Sequence, residues 1–241
     1  MPNPTWFRKR LQDPFLKKAH REDLRSRAAY KLQEIADKYK LIHSYSKVLD
    51  LGCAPGSWTQ VVRRFLGPKG LVVGIDLLPV EPVEGATLLQ GDITDPAMQA
   101  AIGRLCPGGF DLILSDMAPH TTGIHHADTE RSAELVGLVL DLCGRWLKPG
   151  GACLAKVFEG AEYPALRQRA KGLFGFAKTV TPEASLARSR EVYLLGTGFR
   201  GARVARPDQP PPAPSPSPTE PPAPSPTPGL KMGRKKPAGE G

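Results

Sequence analysis

The chain has 241 residues, 40% of them apolar, which is enough for one substantial core with flanking segments. Its formal charge of +9 is unevenly placed: residues 1–47 hold 12 Lys/Arg against 5 Asp/Glu, residues 48–199 hold 14 against 16, and residues 200–241 hold 7 against 3. A slightly acidic middle with basic ends excludes a uniformly basic packaging protein and turns the flanks toward a polyanion, nucleic acid or anionic membrane. No apolar run approaches the ~20 residues of a membrane helix. The start, MPNPTWFRKRLQ, lacks a hydrophobic signal core. A cytoplasmic protein without a membrane partner is expected. Cys53, Cys106, Cys143 and Cys153 form no CxxC pair and have no His at zinc-like spacing. They read as buried free thiols in a reducing compartment, and no metal site is expected.

In chain order, residues 1–46 read as a basic N-terminal helical segment, with a helix over 22–40. At 100° per residue, Leu24, Ala28, Leu32, Ile35 and Tyr39 share one apolar stripe, and Lys31 falls on its edge. Lys31 therefore either turns toward the domain or snorkels to water. From 47 to 200 short apolar runs alternate with helical periodicity. The strand-like runs are 48–52, 71–76, 87–92, 110–117, 152–158, 177–181 and 191–199, and the helix-like segments lie at 57–66, 95–105, 128–147 and 162–174. The runs do not alternate cleanly, as expected of strands buried on both faces. The fold class is thus α/β, a doubly wound, mainly parallel seven-stranded sheet of Rossmann-like type. No helix separates the last two runs, so the final strand must be antiparallel. Residues 201–241 form a tail in which 12 of the 22 residues from Pro207 to Pro228 are proline. This tail is expected to be extended and solvated, with a basic end at Leu230–Lys236.

The first strand runs into Gly52-Cys53-Ala54-Pro55-Gly56-Ser57-Trp58. A glycine turn between strand and helix is a nucleotide-binding feature of such sheets. GCAPG is not GxGxxG, however, and Pro55 removes a backbone N–H that a pyrophosphate would need. A dinucleotide oxidoreductase is the rival reading from a different class, and Pro55 speaks against it. Asp76, Asp92 and Asp116 close the second, third and fourth strands, where carboxylates meet ribose hydroxyls and base edges. Each alone could be a turn former; three on successive strand ends face one crevice. Trp58 is either core or a cofactor platform.

Two further charges defy propensity. Lys156 interrupts the apolar run 152–158, which is costly unless the lysine is partnered or functional. Glu191 opens the last strand. If that strand is antiparallel, its start lies at the rim carrying the ends of the strands with Asp116 and Lys156, and Lys31 can join from the N-terminal helix.

The set Lys31 (LRSRAAYKL), Asp116 (SDMAP), Lys156 (AKVFEG) and Glu191 (RSREVY) resembles the Lys-Asp-Lys-Glu tetrad of the FtsJ/RrmJ family, S-adenosylmethionine-dependent RNA ribose 2′-O-methyltransferases. DLGCAPGSWTQ, GIDLLPV and LLQGDITD resemble its cofactor motifs in the same order, and the likeness runs from about Trp6 to Gly198. It implies that Gly56, Trp58, Asp76, Asp92 and Asp116 contact S-adenosylmethionine. It further implies that Lys156 is the catalytic lysine, completed by Lys31, Asp116 and Glu191. The short basic N-terminal segment looks like that of the family's bacterial large-subunit enzymes. This implies a uridine of 23S ribosomal RNA as target, methylated by a monomer within the large ribosomal subunit; transfer RNA or another RNA is the alternative. His120 stands where the family usually has Asn, and Cys53 where Ala is common. Lys156 could act as the base, or remain protonated and steady the developing alkoxide. RNA phosphates would meet Arg8, Lys9, Arg10, Lys17, Lys18, Arg21, Arg25 and Arg27, with Arg188 and Arg190 beside the site.

Overall fold

The computed structural model describes residues 14–185 and 190–201. The Pro-rich tail and Arg8, Lys9, Arg10 and Arg188 lie outside the described residues. Two helices, α1 (Pro14–Arg21) and α2 (Ala28–Tyr39), precede β1 (Lys47–Leu51), α3 (Ser57–Phe65), β2 (Leu71–Asp76), β3 (Thr87–Gln90) and α4 (Pro96–Leu105). There follow β4 (Phe110–Ser115), α5 (His125–Trp146), β5 (Leu147–Phe158), α6 (Tyr163–Leu173), β6 (Phe174–Val180) and β7 (Glu191–Phe199). The strands form one sheet in the order β3-β2-β1-β4-β5-β7-β6. Pairing is parallel from β3 through β5, and β7 runs antiparallel to both β5 and β6. The expected seven-stranded, mainly parallel sheet with an antiparallel last strand is what forms.

Period-two alternation assigns each strand residue to one of two cores. Leu49, Leu51, Ile113, Ala155, Val157, Val192 and Leu194 pack against Val136, Val139, Leu140 and Cys143 of α5 and Leu166 and Ala170 of α6. On the opposite face, Val48, Leu112, Leu114, Leu154, Tyr193 and Leu195 meet Trp58, Val61 and Val62 of α3 and Leu32, Ile35 and Ala36 of α2. All four cysteines are buried and free, as expected. Among the described residues no helix is long and apolar enough to cross a membrane.

Several element boundaries differ from the sequence reading, and three of the differences have a local physical cause. The helix expected over 22–40 is broken. After α1, Asp23 takes a left-handed φ of 55° and Leu24 N–H donates to the Ala19 carbonyl (2.8 Å). Arg25 N–H is then drawn off to Gln60 Oε1 (3.0 Å), and Ser26 Oγ accepts from Ala28 N–H (3.2 Å) where α2 begins. Apolar periodicity is blind to such a break, because Leu24 still reaches the same core from the turn. β6 starts at Phe174 instead of 177, where Phe174 packs on Phe199 with ring centroids 5.4 Å apart. β5 extends back to Leu147, with a register shift beside Phe110 and Leu112 that absorbs the Pro-Gly-Gly stretch.

Trp58 fastens the helical layer to itself. Its ring is fully buried, and Nε1 donates to the Ala28 carbonyl (2.9 Å) in the first turn of α2. Trp58→Phe deletes that bond and leaves a small void, so urea unfolding should show about 1–3 kcal/mol less stability than wild type.

Candidate active site

Alternation brings the charged residues to one place. In β4 the face-sharing series is Leu112, Leu114 and then Asp116 just past the strand; in β5 it is Leu154, Lys156, Phe158; in β7, reading backwards, it is Leu195, Tyr193, Glu191. Register pairs Leu154 with Leu195, Lys156 with Tyr193 and Phe158 with Glu191. Each strand is thus apolar inside the sheet and charged at its rim, on the face that α2 and α3 cover. Lys31, on α2, comes down onto that rim.

The two lysines are each matched to one acid. Lys31 Nζ lies 2.6 Å from Glu191 Oε2, with the lysine 9% exposed. Lys156 Nζ lies 3.0 Å from Asp116 Oδ1 and donates to the Asp116 backbone carbonyl at 2.6 Å. Tyr193 stands between the pairs: its hydroxyl donates to Asp116 Oδ1 at 3.4 Å, and Lys31 Nζ sits 5.9 Å from its ring centroid. Burial, together with the Asp116 and Glu191 charges, pushes the Tyr193 phenol well above its ordinary range, so it remains a proton donor. Sequence reasoning missed Tyr193, although its place two residues after Glu191 puts it on the same face.

The glycine turn occupies the neighbouring rim. Gly52 N–H and Cys53 N–H both donate to the Ile75 carbonyl, at 2.9 and 3.2 Å. Gly52 has φ 71°, and a Cβ there would lie 2.5 Å from Met117 Cγ, so only glycine lets the segment after β4 close over the turn. Gly56, at φ 103°, opens α3; a Cβ there would lie 2.5 Å from Arg25 Nη1. Asp76 accepts from Ala54 N–H (2.9 Å) and Leu78 N–H (2.9 Å), holding the turn against the end of β2. Asp92 stands two residues beyond β3, exposed. It accepts from the Thr94 N–H and hydroxyl, both at 2.8 Å, and these bonds hold its carboxyl below the usual range. The Trp58 indole is in the core rather than facing the crevice. What that residue presents at the rim is its backbone N–H in the first turn of α3, which has no intrahelical acceptor.

Arg25 has a different place from the phosphate-facing one expected of it. Its guanidinium donates to the carbonyls of Pro55 (2.9 Å), Glu81 (2.7 Å) and Pro82 (2.8 Å), tying the glycine turn to the loop after β2. It is a brace for the crevice, its donors spent on backbone. Arg27 also turns inward, to the Ala184 carbonyl. The outward basic face expected of this segment is left, among described residues, to Lys17, Lys18 and Arg21.

Asp50 is completely buried beneath the turn, with Oδ2 accepting from Thr59 Oγ1 (2.7 Å) and Oδ1 without a hydrogen-bond partner. Burial, with the Asp116 and Asp76 charges behind it, pushes its carboxyl up to about 7. Among the described residues no cationic side chain pairs with Asp50, Asp76 or Asp92. Two accessible carboxylates without a cationic partner, Asp76 and Asp92, above a buried acid whose Oδ1 is unsatisfied, fit a cationic ligand.

The model of the FtsJ-like methyltransferase family matches residues 24–199, from the turn after α1 through β7. The chain belongs to the FtsJ-like methyltransferase family. It is a methyltransferase, and the dinucleotide oxidoreductase alternative is set aside. Curated relatives of the family include the ribosomal RNA large subunit methyltransferase E of Acidithiobacillus ferrooxidans, 46% identical over 84% of this chain and 93% of its own length. The protein of the same name from Syntrophobacter fumaroxidans is 46% identical over 79% of this chain and 97% of its own. A solved ribosomal RNA methyltransferase from Plasmodium falciparum superposes with a TM-score of 0.66 at 30% identity, covering 74% of this chain and all of that one.

Two outcomes test this geometry. Gly56→Ala drives a methyl into the Arg25 brace at a backbone angle alanine avoids, so cofactor affinity measured by calorimetry should fall at least ten-fold. Asp50 is an acid whose folded pKa lies above its unfolded value, so its stabilising contribution is full below about pH 4 and fades as pH rises toward 7. Across that window the thermal midpoint of the cofactor-free wild type should fall relative to Asp50→Asn; a constant gap between them refutes the assignment.

Proposed function

We propose that the chain transfers a methyl group from S-adenosylmethionine to a ribose 2′-hydroxyl of RNA, a uridine of 23S ribosomal RNA in the large ribosomal subunit. The observation that carries this reading is the matched pair of ion pairs on one rim, Lys156–Asp116 and Lys31–Glu191, in a member of this family. The ribosomal target is supported by the relatives named for large-subunit ribosomal RNA. Asp76 at the second strand end suits ribose hydroxyls, Asp92 an adenine edge, and the Gly56–Trp58 backbone the methionine portion. Each acid retains lone pairs beyond those its present donors use.

S-adenosylmethionine supplies a methyl already activated on a sulfonium centre. The chain has only to align the acceptor oxygen and receive one proton. An ammonium has three protons, and Lys156 commits two of its directions to Asp116. The third is free to meet a 2′-oxygen and hold its lone pair toward the methyl. The proton lost from that oxygen has carboxylate acceptors, Asp116 and Glu191, on the same rim. Lys31 keeps Glu191 in place, and Tyr193 fixes the Asp116 carboxylate. This assigns Lys156 the orienting, charge-steadying role. RNA phosphates outside the site meet Lys17, Lys18 and Arg21 on α1.

Lys156→Ala should lower methyl transfer on the order of a thousand-fold while calorimetric affinity for S-adenosylmethionine stays within about three-fold. Equal loss of both overturns the catalytic assignment. Ribose-methylation mapping in a deletion strain should show one uridine of 23S RNA unmethylated, restored by wild type and not by Lys156→Ala. A lost site in transfer RNA would instead move the substrate there.

A further inference from the structure

The tetrad leaves one adjoining feature unexplained. A cleft of about 280 Å³ opens beyond Glu191, between Gly123, His125 and Thr129 at the start of α5 and Phe158 and Arg190 at the ends of β5 and β7. Its walls are fixed from below. Phe158 N–H donates to Ser132 Oγ (2.9 Å), and Glu159 N–H donates to the Arg190 carbonyl (3.1 Å). The Asp128 carboxylate takes Thr122 N–H (2.8 Å), the Thr122 hydroxyl (2.9 Å) and Gly123 N–H (3.1 Å), which holds the facing turn.

Its position relative to the reacting groups is set by the strand. Phe158 lies two residues past Lys156 on the same face, a step of about 7 Å along β5. Across the sheet Phe158 pairs with Glu191, the tetrad member at the cleft wall. The cofactor carboxylates lie the other way, on β2 and β3, with β1 and β4 in between. Whatever fills this cleft approaches Lys156 from the side opposite the methyl donor.

The lining includes His125 and two carboxylates already engaged, Asp128 by Thr122 and Gly123 and Glu191 by Lys31, and beside them an aromatic ring and a guanidinium. Phe158 is partly buried in the cleft wall, and the exposed Arg190 guanidinium has no partner among the described residues. A ring beside a free guanidinium is the arrangement that takes a stacked base and its phosphate. The volume is near the lower end for ligand pockets and suits one base, not two.

We propose that this cleft takes the base of the nucleotide being methylated, stacked on Phe158, with Arg190 on its adjoining phosphate. This rests on the RNA methyl-transfer reading and gives it an acceptor subsite. Phe158 and Arg190 are then substrate-binding residues that place the ribose for Lys156, and the base must leave its stack to enter.

The test uses the full chain with S-adenosylmethionine and large ribosomal subunits from a deletion strain. Phe158→Ala should raise KM for RNA about ten-fold or more, with recovery in Phe158→Trp, because any aromatic face stacks. Arg190→Ala should weaken RNA binding and reduce its logarithmic salt slope by about one. Calorimetric affinity for S-adenosylmethionine should be unchanged in all three. In a second measurement, RNA carrying 5-bromouridine at the target position should photocross-link to the peptide containing Phe158. Wild-type KM in Phe158→Ala and Arg190→Ala overturns the subsite while leaving the function intact. A fall in kcat alone that Trp does not rescue, or a cross-link elsewhere, does the same. A wild-type protein that binds cofactor but methylates no RNA overturns both.

Discussion

Two ammonium groups lie on an otherwise apolar sheet face, and each is held there by one carboxylate. Removing a lysine from water is tolerable only where an acid is fixed within reach. Lys156 has Asp116 from the adjacent strand, and Lys31 has Glu191 from a strand distant in sequence. The requirement dictates much of the surrounding architecture. β4 and β5 must lie side by side and in register, β7 must start where they end, and α2 must lie across that face. Tyr193 and Trp58, whose rings sit 5.8 Å apart, form the apolar floor on which both pairs rest.

The same sheet separates two electrostatic territories. Toward β1, β2 and β3 the rim is carboxylate without cation, suited to a positively charged donor. Toward β5 and β7 the Asp116 and Glu191 carboxylates are each matched by a lysine, with the Arg190 guanidinium and the Phe158 ring beside them. In the proposed reaction, donor and acceptor would thus reach Lys156 from opposite sides. Arg25 belongs to the first territory in spite of its charge. Its three carbonyl acceptors make it an internal strut, and Gly56 is small because that strut passes directly over it.

Much of this was legible in the sequence because strands write their faces at period two. Lys156 was conspicuous as a cation in an apolar run, and Glu191 as the start of a strand that connectivity forced antiparallel. Trp58 could be read as core or platform, since an indole in a glycine turn suits both; its buried ring and its bond to Ala28 settle where the side chain goes. The break at Asp23 was hidden because a left-handed residue leaves the apolar stripe intact on either side. Arg25 and Arg27 looked like members of a phosphate-binding arm because charge is visible in sequence, whereas the carbonyls that claim those guanidiniums come from loops 30 or more residues away. Asp50 gave no signal, because a strand acid becomes unusual only when burial is complete.

The place of β7 in the sheet has a consequence for the order in which the molecule becomes active. It is the last strand in sequence among the described residues, yet it lies between β5 and β6, and it brings both Glu191 and Tyr193. A nascent chain that has emerged only through β6 has its glycine turn, its carboxylates and Lys156, but Lys31 has no counter-charge and the sheet has a gap. In the proposed reaction, both ion pairs would be present only once that final strand has joined the sheet. A chain that stops short of residue 191 would lack half of the proposed tetrad's second pair together with the strand that closes the gap.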